Sequence, residues 1–204
     1  MATKELLYYI PAGQYGKEGV LSLLEQHPEI KFVSLVGIDL AGNDTDEKIP
    51  MAAFFDDYEA FFEGRAVQTD GSSVVLTNIA TLNNARVDMW GDPSVNWFVD
   101  YNYENIDEAT GLPTGTLRIP AFLMHNYRYV DSRSILKRSC DYVRAELLSL
   151  IKEKGVPGMP HVKADDVVDI VFTSATELEF WVKTPSKTVT KKELSVSQRL
   201  QEQY

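Results

Sequence analysis

Glu177 and Glu179 stand two residues apart in the stretch Ala175-Thr-Glu-Leu-Glu-Phe-Trp. A β-branched run, Val167-Val-Asp-Ile-Val-Phe, precedes them, and the pattern predicts a strand. Side chains alternate along a strand. Glu177, Glu179 and Trp181 then share one face, and Leu178, Phe180 and Val182 the other. Two carboxylates with Cα atoms about 6.6 Å apart can lean together over one hard cation or two neighbouring ones. The same pair also reads as two solvated glutamates on an open sheet face. Paired carboxylates can also hydrolyse a glycosidic bond, but that chemistry places an acid and a nucleophile or base on either side of the sugar. Two glutamates on one strand suit a shared cation better.

Asp70-Gly-Ser-Ser is the second stretch with chemistry in it. Glycine permits the backbone to turn, and Asp and Ser side chains bond nearby amides. It fits a plain hairpin connection or a loop presenting Asp70 at a cleft. His27, His125 and His161 share no metal-ligand spacing. The acids Asp39, Asp44, Asp46 and Glu47 surround a Gly42 misplaced for an EF-hand loop, so a solvated loop is expected. There is neither a glycine-rich phosphate loop nor a nucleophile elbow.

Composition narrows the class. The chain has 204 residues, enough to bury a core, and its formal charge of -10 opposes a nucleic-acid partner, which needs a basic stripe. Cys140 is the one cysteine, so no disulfide forms within the chain. The N-terminal residues lack the basic-then-apolar order of a signal peptide, and no apolar run is long enough for a bilayer. A cytoplasmic location is the expectation, with no membrane and no nucleic acid among the partners.

The elements that must position these residues follow from periodicity. Residues 16–27 predict a short helix stopped by Pro28, and residues 31–38 a strand. Pro50 opens a second helix with Phe54, Tyr58, Phe61 and Phe62 on one stripe, stopped at Gly64. Residues 95–103 alternate Trp97, Val99, Tyr101 and Tyr103 against Phe98, Asp100 and Asn102, which predicts a strand. Residues 116–124 are its expected antiparallel partner, with Pro120 implying a bulge or an edge. Asp131 or Ser132 caps a long helix reaching Lys154, with Leu136, Cys140, Val143, Leu147 and Leu150 on one apolar face. That face is expected to be core, with Cys140 a small core residue, and Arg133, Lys137, Arg138 and Arg144 on the solvated side. Beyond Trp181 the chain turns basic and polar.

The order of motifs resembles the N-terminal part of a glutamine synthetase. That family's Phe-Asp-Gly-Ser-Ser loop, Asp-Pro-Arg helix start and Glu-x-Glu-Phe-Phe strand correspond here to Thr69-Asp-Gly-Ser-Ser, Asp131-Ser-Arg and Glu177-Leu-Glu-Phe-Trp. The likeness runs from about Ile30 to Trp181. It implies an α+β fold: a β-grasp-like N-terminal domain over residues 1–130, then a truncated catalytic domain over residues 131–204. The second part would hold the long helix, the first strands and a basic polar tail.

The implied activity is ATP-dependent amidation of glutamate with ammonia through a γ-glutamyl phosphate, with Mg²⁺ or Mn²⁺. By resemblance Glu177 and Glu179 are metal ligands. Asp70 is the catalytic carboxylate that binds ammonium and takes its proton at a site shared with a neighbouring subunit, and Ser73 lies near that ammonium. Implied partners are other copies of the chain or full-length glutamine synthetase subunits. The fragment alone is expected to be inactive; the alternative is a non-catalytic assembly or regulatory module of the same ancestry. The chain departs from the family at Gln68-Thr69, where an aromatic usually precedes the aspartate, over residues 84–92, which fit the family's acidic segment poorly with Arg86 near where an acid is expected, and at Ser132 in place of proline.

Overall fold

The longest strand, β7 (Pro113–His125), has partners along both edges. On one edge runs β2 (Ile30–Ile38), parallel to it, with Val33 opposite Leu117 and Leu35 opposite Ile119. On the other edge two antiparallel strands follow one another: β6 (Trp97–Ile106) beside its first half and β5 (Arg86–Gly91) beside its second. β1 (Tyr9–Ile10) adds to β6, β3 (Asp44–Pro50) to β2, and β4 (Val67–Asp70) to β5. A short β8 (Arg128–Tyr129) folds back on the end of β7. The architecture is a computed structural model that describes residues 5–71, 74, 85–177 and 179. It is a mixed α and β fold, with parallel and antiparallel pairs in the sheet.

Pro120 lies inside β7, in register with Val36 of β2, and in place of the expected bulge or edge the neighbouring strand is broken beside it. The β5 ladder reaches Gly91 opposite Ala121, and the β6 ladder reaches Phe98 opposite Arg118. The chain between them loops out. The Pro120 carbonyl accepts from Asp92 N–H at 2.8 Å on this side, so the missing N–H of the proline falls where no ladder partner stands.

Alternation divides the sheet into two faces. Val33, Leu35, Leu117, Ile119, Trp97 and Val99 are buried on one, as period-2 patterning requires. Two helices, α1 (Lys17–Glu25) and α2 (Met51–Asp56), contribute Val20, Leu24 and Phe54 to the same core. The aromatic stripe expected on one continuous helix is split: α2 ends at Asp57, whose Oδ1 accepts from Ala60 N–H at 3.2 Å and starts a fresh 3-10 turn, Glu59–Phe61. Phe54 still meets Phe61 edge-on at 4.9 Å, and Phe62 stacks on Trp97 at 5.3 Å. Gly64 ends the segment at φ +68°, and a side chain there would collide with the Trp90 ring.

The long helix forms as α3 (Ser132–Lys154), and Asp131 is its N-cap. Its expected core face is not core. Leu136, Val143, Leu147 and Leu150 are exposed by 66%, 42%, 36% and 44%, and Cys140 is half-buried. Ser134 is the buried residue among those of α3. The periodicity was that of a helix needing a partner; among the described residues the short turn Ala164–Asp166 lies against α3, and Leu136, Val143, Leu147 and Leu150 still remain at least 36% exposed.

Arg133 also departs from its expected solvated position, because it turns back onto the sheet. The chain falls into two compact units, Met1–Ile170 and Val171–Tyr204. The strand expected around Val167 and Glu177 is not formed over residues 167–177, which have no ladder partner. A strand needs a neighbour for its backbone groups, and β-branched sequence alone does not provide one.

Candidate functional site

Asp70 closes β4, at the point where the chain leaves the sheet. β4 and β5 pair with Val67 opposite Met89 and Asp70 opposite Arg86. Val67, Thr69, Val87 and Met89 point into the core. Gln68, Asp70, Arg86 and Asp88 therefore share the outer face, and Asp70 is exposed there. Gly71 N–H donates to the Ala85 carbonyl at 2.7 Å, which prolongs the pairing one step beyond Asp70. Val74 is buried and its N–H donates to the Gly71 carbonyl at 3.2 Å.

Arg86 stands at the centre of this polar row. Its Nε donates to Asp88 Oδ1 at 2.5 Å. With the Gln68 amide oxygen turned toward it, Arg86 also donates to Gln68 from Nε at 3.2 Å and from Nη2 at 2.9 Å. A guanidinium thus lies across the strand from Asp70. The departure at Arg86 has a geometric consequence: two carboxylates and one fixed positive charge meet on one surface. Exposed pairs of this kind add little to stability, but they set the local potential that a charged ligand meets.

Ser73 lies outside the described residues. Glu177 and Glu179 are both exposed, and the segment leading to Glu177 has no ladder pairing. Among the described residues, no group of three or more His, Cys, Asp or Glu side chains could hold a metal ion. A hard cation takes about six to eight oxygen ligands from a positioned cage, and two exposed glutamates without a paired strand do not fit that requirement.

Two polar clusters escaped the sequence reading. Asp131, fully buried, accepts from Ser134 N–H at 2.8 Å, from Ser134 Oγ at 2.7 Å and from Leu123 N–H at 3.1 Å. The cap was visible in the sequence; the bond to β7 was not, because it depends on tertiary placement.

In the second cluster Asp92 accepts from Ser94 N–H at 2.9 Å and from Arg133 Nη2 at 2.6 Å. Burial opposes the charge on Asp92, but the bonds from Ser94 and Arg133 outweigh it and hold the carboxyl below its usual range. Arg133 also lies over the Phe122 ring at 4.8 Å. These contacts fasten the start of α3 to the break between β5 and β6. The one advance signal was the Asp-Pro-Ser turn at 92–94, since an aspartate there bonds its own loop.

Comparison with known proteins adds the following. No family model matches the chain, and no curated protein matches it. Among solved structures, a Plasmodium falciparum glutamine synthetase seen by cryo-electron microscopy is similar over 67% of this chain and 24% of its own, at 14% identity and a TM-score of 0.44. A structure described as a GmaS/ADP complex is similar over 54% of this chain and 21% of its own, at 15% identity and a TM-score of 0.34. The chain therefore spans 24% and 21% of the lengths of these two structures.

Proposed function

We propose that this chain is the amino-terminal portion of a glutamine-synthetase-like ligase and carries the loop that handles the amine. The observation behind this reading is the β4–β5 hairpin. It presents Asp70 on an exposed edge, with the Gly71 and Val74 amides hydrogen-bonded just beyond it. The Asp131-Ser-Arg helix start and the Glu177-Leu-Glu stretch follow in the order of the family's motifs. An exposed carboxylate can hold an ammonium ion and accept its proton as nitrogen attacks an activated acyl group.

Residues 1–130 serve as the β-grasp-like domain and residues 131–204 as the opening of the catalytic domain. Glu177 and Glu179 become metal ligands only with a further set of oxygen donors. Phosphoryl transfer needs metal, nucleotide and acceptor held together. The chain alone therefore does not make glutamine, and the amine site acts on a neighbouring subunit's acyl donor.

The test measures glutamate- and ammonia-dependent phosphate release from ATP with Mg²⁺ or Mn²⁺. The purified chain is expected to give none. A fusion to the remaining catalytic region of a glutamine synthetase is expected to turn over, with Asp70→Asn lowering the rate by about a hundredfold, the scale of a lost general base. Turnover by the chain alone that is abolished by Glu177→Ala would overturn the proposal, as would an active fusion indifferent to Asp70→Asn.

A further inference from the structure

The sheet face opposite the core carries a groove that the amine site does not use. Val36 and Ile38 of β2, Phe98 of β6, Arg118 and Pro120 of β7, and Arg133 of α3 line this open groove of about 470 Å³. That volume lies within the roughly 300–1,000 Å³ of small-molecule sites, which are mostly apolar with a few placed polar groups. The groove follows from strand alternation. Trp97 and Val99 turn inward, so Phe98 between them turns outward and remains 53% exposed. Phe98 stands directly across the ladder from Arg118, which places a ring and a guanidinium side by side.

The charged side chains that line the groove are Arg118 and Arg133. Arg118 is held from the sides by Asp46 at 3.2 Å and by Asp100 at 3.6 Å, and neither aspartate lines the groove. The Asp100 separation is beyond hydrogen-bond distance, so the guanidinium is positioned without being fully used. Asp46 is itself fixed by a hydrogen bond from Ser34. Arg133 gives one nitrogen to Asp92, and its Nη1 is buried with no acceptor among the described residues. Apolar walls beside two guanidinium groups favour an anion with a hydrophobic body. The nearby Asp46, Asp92 and Asp100 oppose a doubly charged phosphate more than a single charge, and a planar carboxylate matches the guanidinium fork.

We propose that this groove binds a small amphipathic carboxylate, its apolar body against Phe98, Val36, Ile38 and Pro120 and its anion on Arg118. The site is independent of the ligase reading. The test is a titration of the isotope-labelled full chain, followed by amide shifts, with 2-naphthoate and with its neutral analogue 2-naphthalenemethanol. Naphthoate is expected to move the amides of Val36, Ile38, Phe98 and Ala121 and to bind about tenfold more tightly than the alcohol, the worth of one charge-assisted hydrogen bond. Arg118→Gln should abolish that preference, and Arg118→Lys should keep part of it. Phe98→Ala, at an exposed position, should weaken both probes alike while its amide spectrum reports an intact fold. Equal affinity for the two probes, naphthoate binding unchanged in Arg118→Gln, shifts centred on α3, or no shifts at millimolar naphthoate would each overturn the proposal.

Discussion

β7 and α3 are both patterned for burial, and their apolar residues meet different fates. In β7, Leu117, Ile119, Ala121 and Leu123 are all fully buried. In α3 the corresponding stripe from Leu136 to Leu150 stays open. The strand cannot stand alone: its backbone groups need neighbours, and β2, β5 and β6 bring apolar side chains with their hydrogen bonds. The helix closes its own backbone bonds and needs only its ends satisfied. Asp131 caps one end, Lys152 and Lys154 lie at the other, and Gly155 follows at φ +82°. Lys137 pairs with Asp141 one turn on, at 2.6 Å. Apolar periodicity therefore states that an element has a face to cover, and hydrogen bonding decides whether it can exist before that face is covered.

Truncating the middle of β7 should show the largest effect on this contrast. Leu117 lies between Val33 and Val99 across the two ladders and has no exposed surface. Leu117→Ala leaves a cavity that rigid ladders on both sides cannot close, and should cost about 3–5 kcal/mol. Urea unfolding followed by circular dichroism measures it. A loss below 1 kcal/mol, the scale of a surface change, would show that β7 is not the centre of stability.

The join between the two regions comes next. Asp131 serves the helix through Ser134 and the strand through the Leu123 N–H. Asp131→Ala removes the cap and leaves that N–H without its acceptor. The expected loss is about 2–3 kcal/mol, from roughly 1 for the cap and 1–2 for the stranded donor. Asp131→Asn keeps oxygen for the cap and should recover about half of the loss. Hydrogen exchange sharpens the reading: the amide of Leu123 should exchange faster in Asp131→Ala while the amides of β2 stay protected. Uniform acceleration everywhere would mean that the joint has no local role.

Much of the β-rich part was legible in the sequence, for a physical reason. Trp97, Val99 and Tyr101 alternate with Phe98, Asp100 and Asn102 and the strand and its antiparallel partner form with that facing, whereas Tyr103 of the same expected row lies exposed. Local order of turns and caps was legible too: Pro50, Gly64 and Asp131 all act where their backbone preferences place them. What could not be read was any partnership between distant residues. β2 and β7 pair in parallel across more than eighty residues of chain, and the Arg133–Asp92 pair spans 41 positions. For the candidate site, Asp70 was visible as a turn aspartate, but Arg86 opposite it is set by the β4–β5 register, which no local pattern reports. The Glu177 segment misled because strand propensity measures fitness for a sheet, and the described residues provide no sheet beside it.

The smallest expected effect tests the other half of the comparison. Leu136 is the most exposed leucine of the α3 stripe. In a helix whose apolar face were part of the core, Leu136→Gln would remove burial and strand a polar amide, at a cost of about 2–4 kcal/mol. On an open face the amide stays in water, and glutamine differs little from leucine in helix propensity. The change should therefore lie within about 0.5 kcal/mol, the range of ordinary surface substitutions. Unfolding midpoints of Leu136→Gln and the parent chain, compared at several protein concentrations, measure this directly. A loss above 1.5 kcal/mol that does not vary with concentration would show that the stripe is covered from within the chain. A loss that grows with concentration would show that it is covered by another copy, because association stabilises the parent by mass action and the variant less. A near-zero loss at every concentration leaves α3 as the structure has it: a helix held by its caps, its ion pair and its Asp131 joint, with an apolar face that the folded chain does not need.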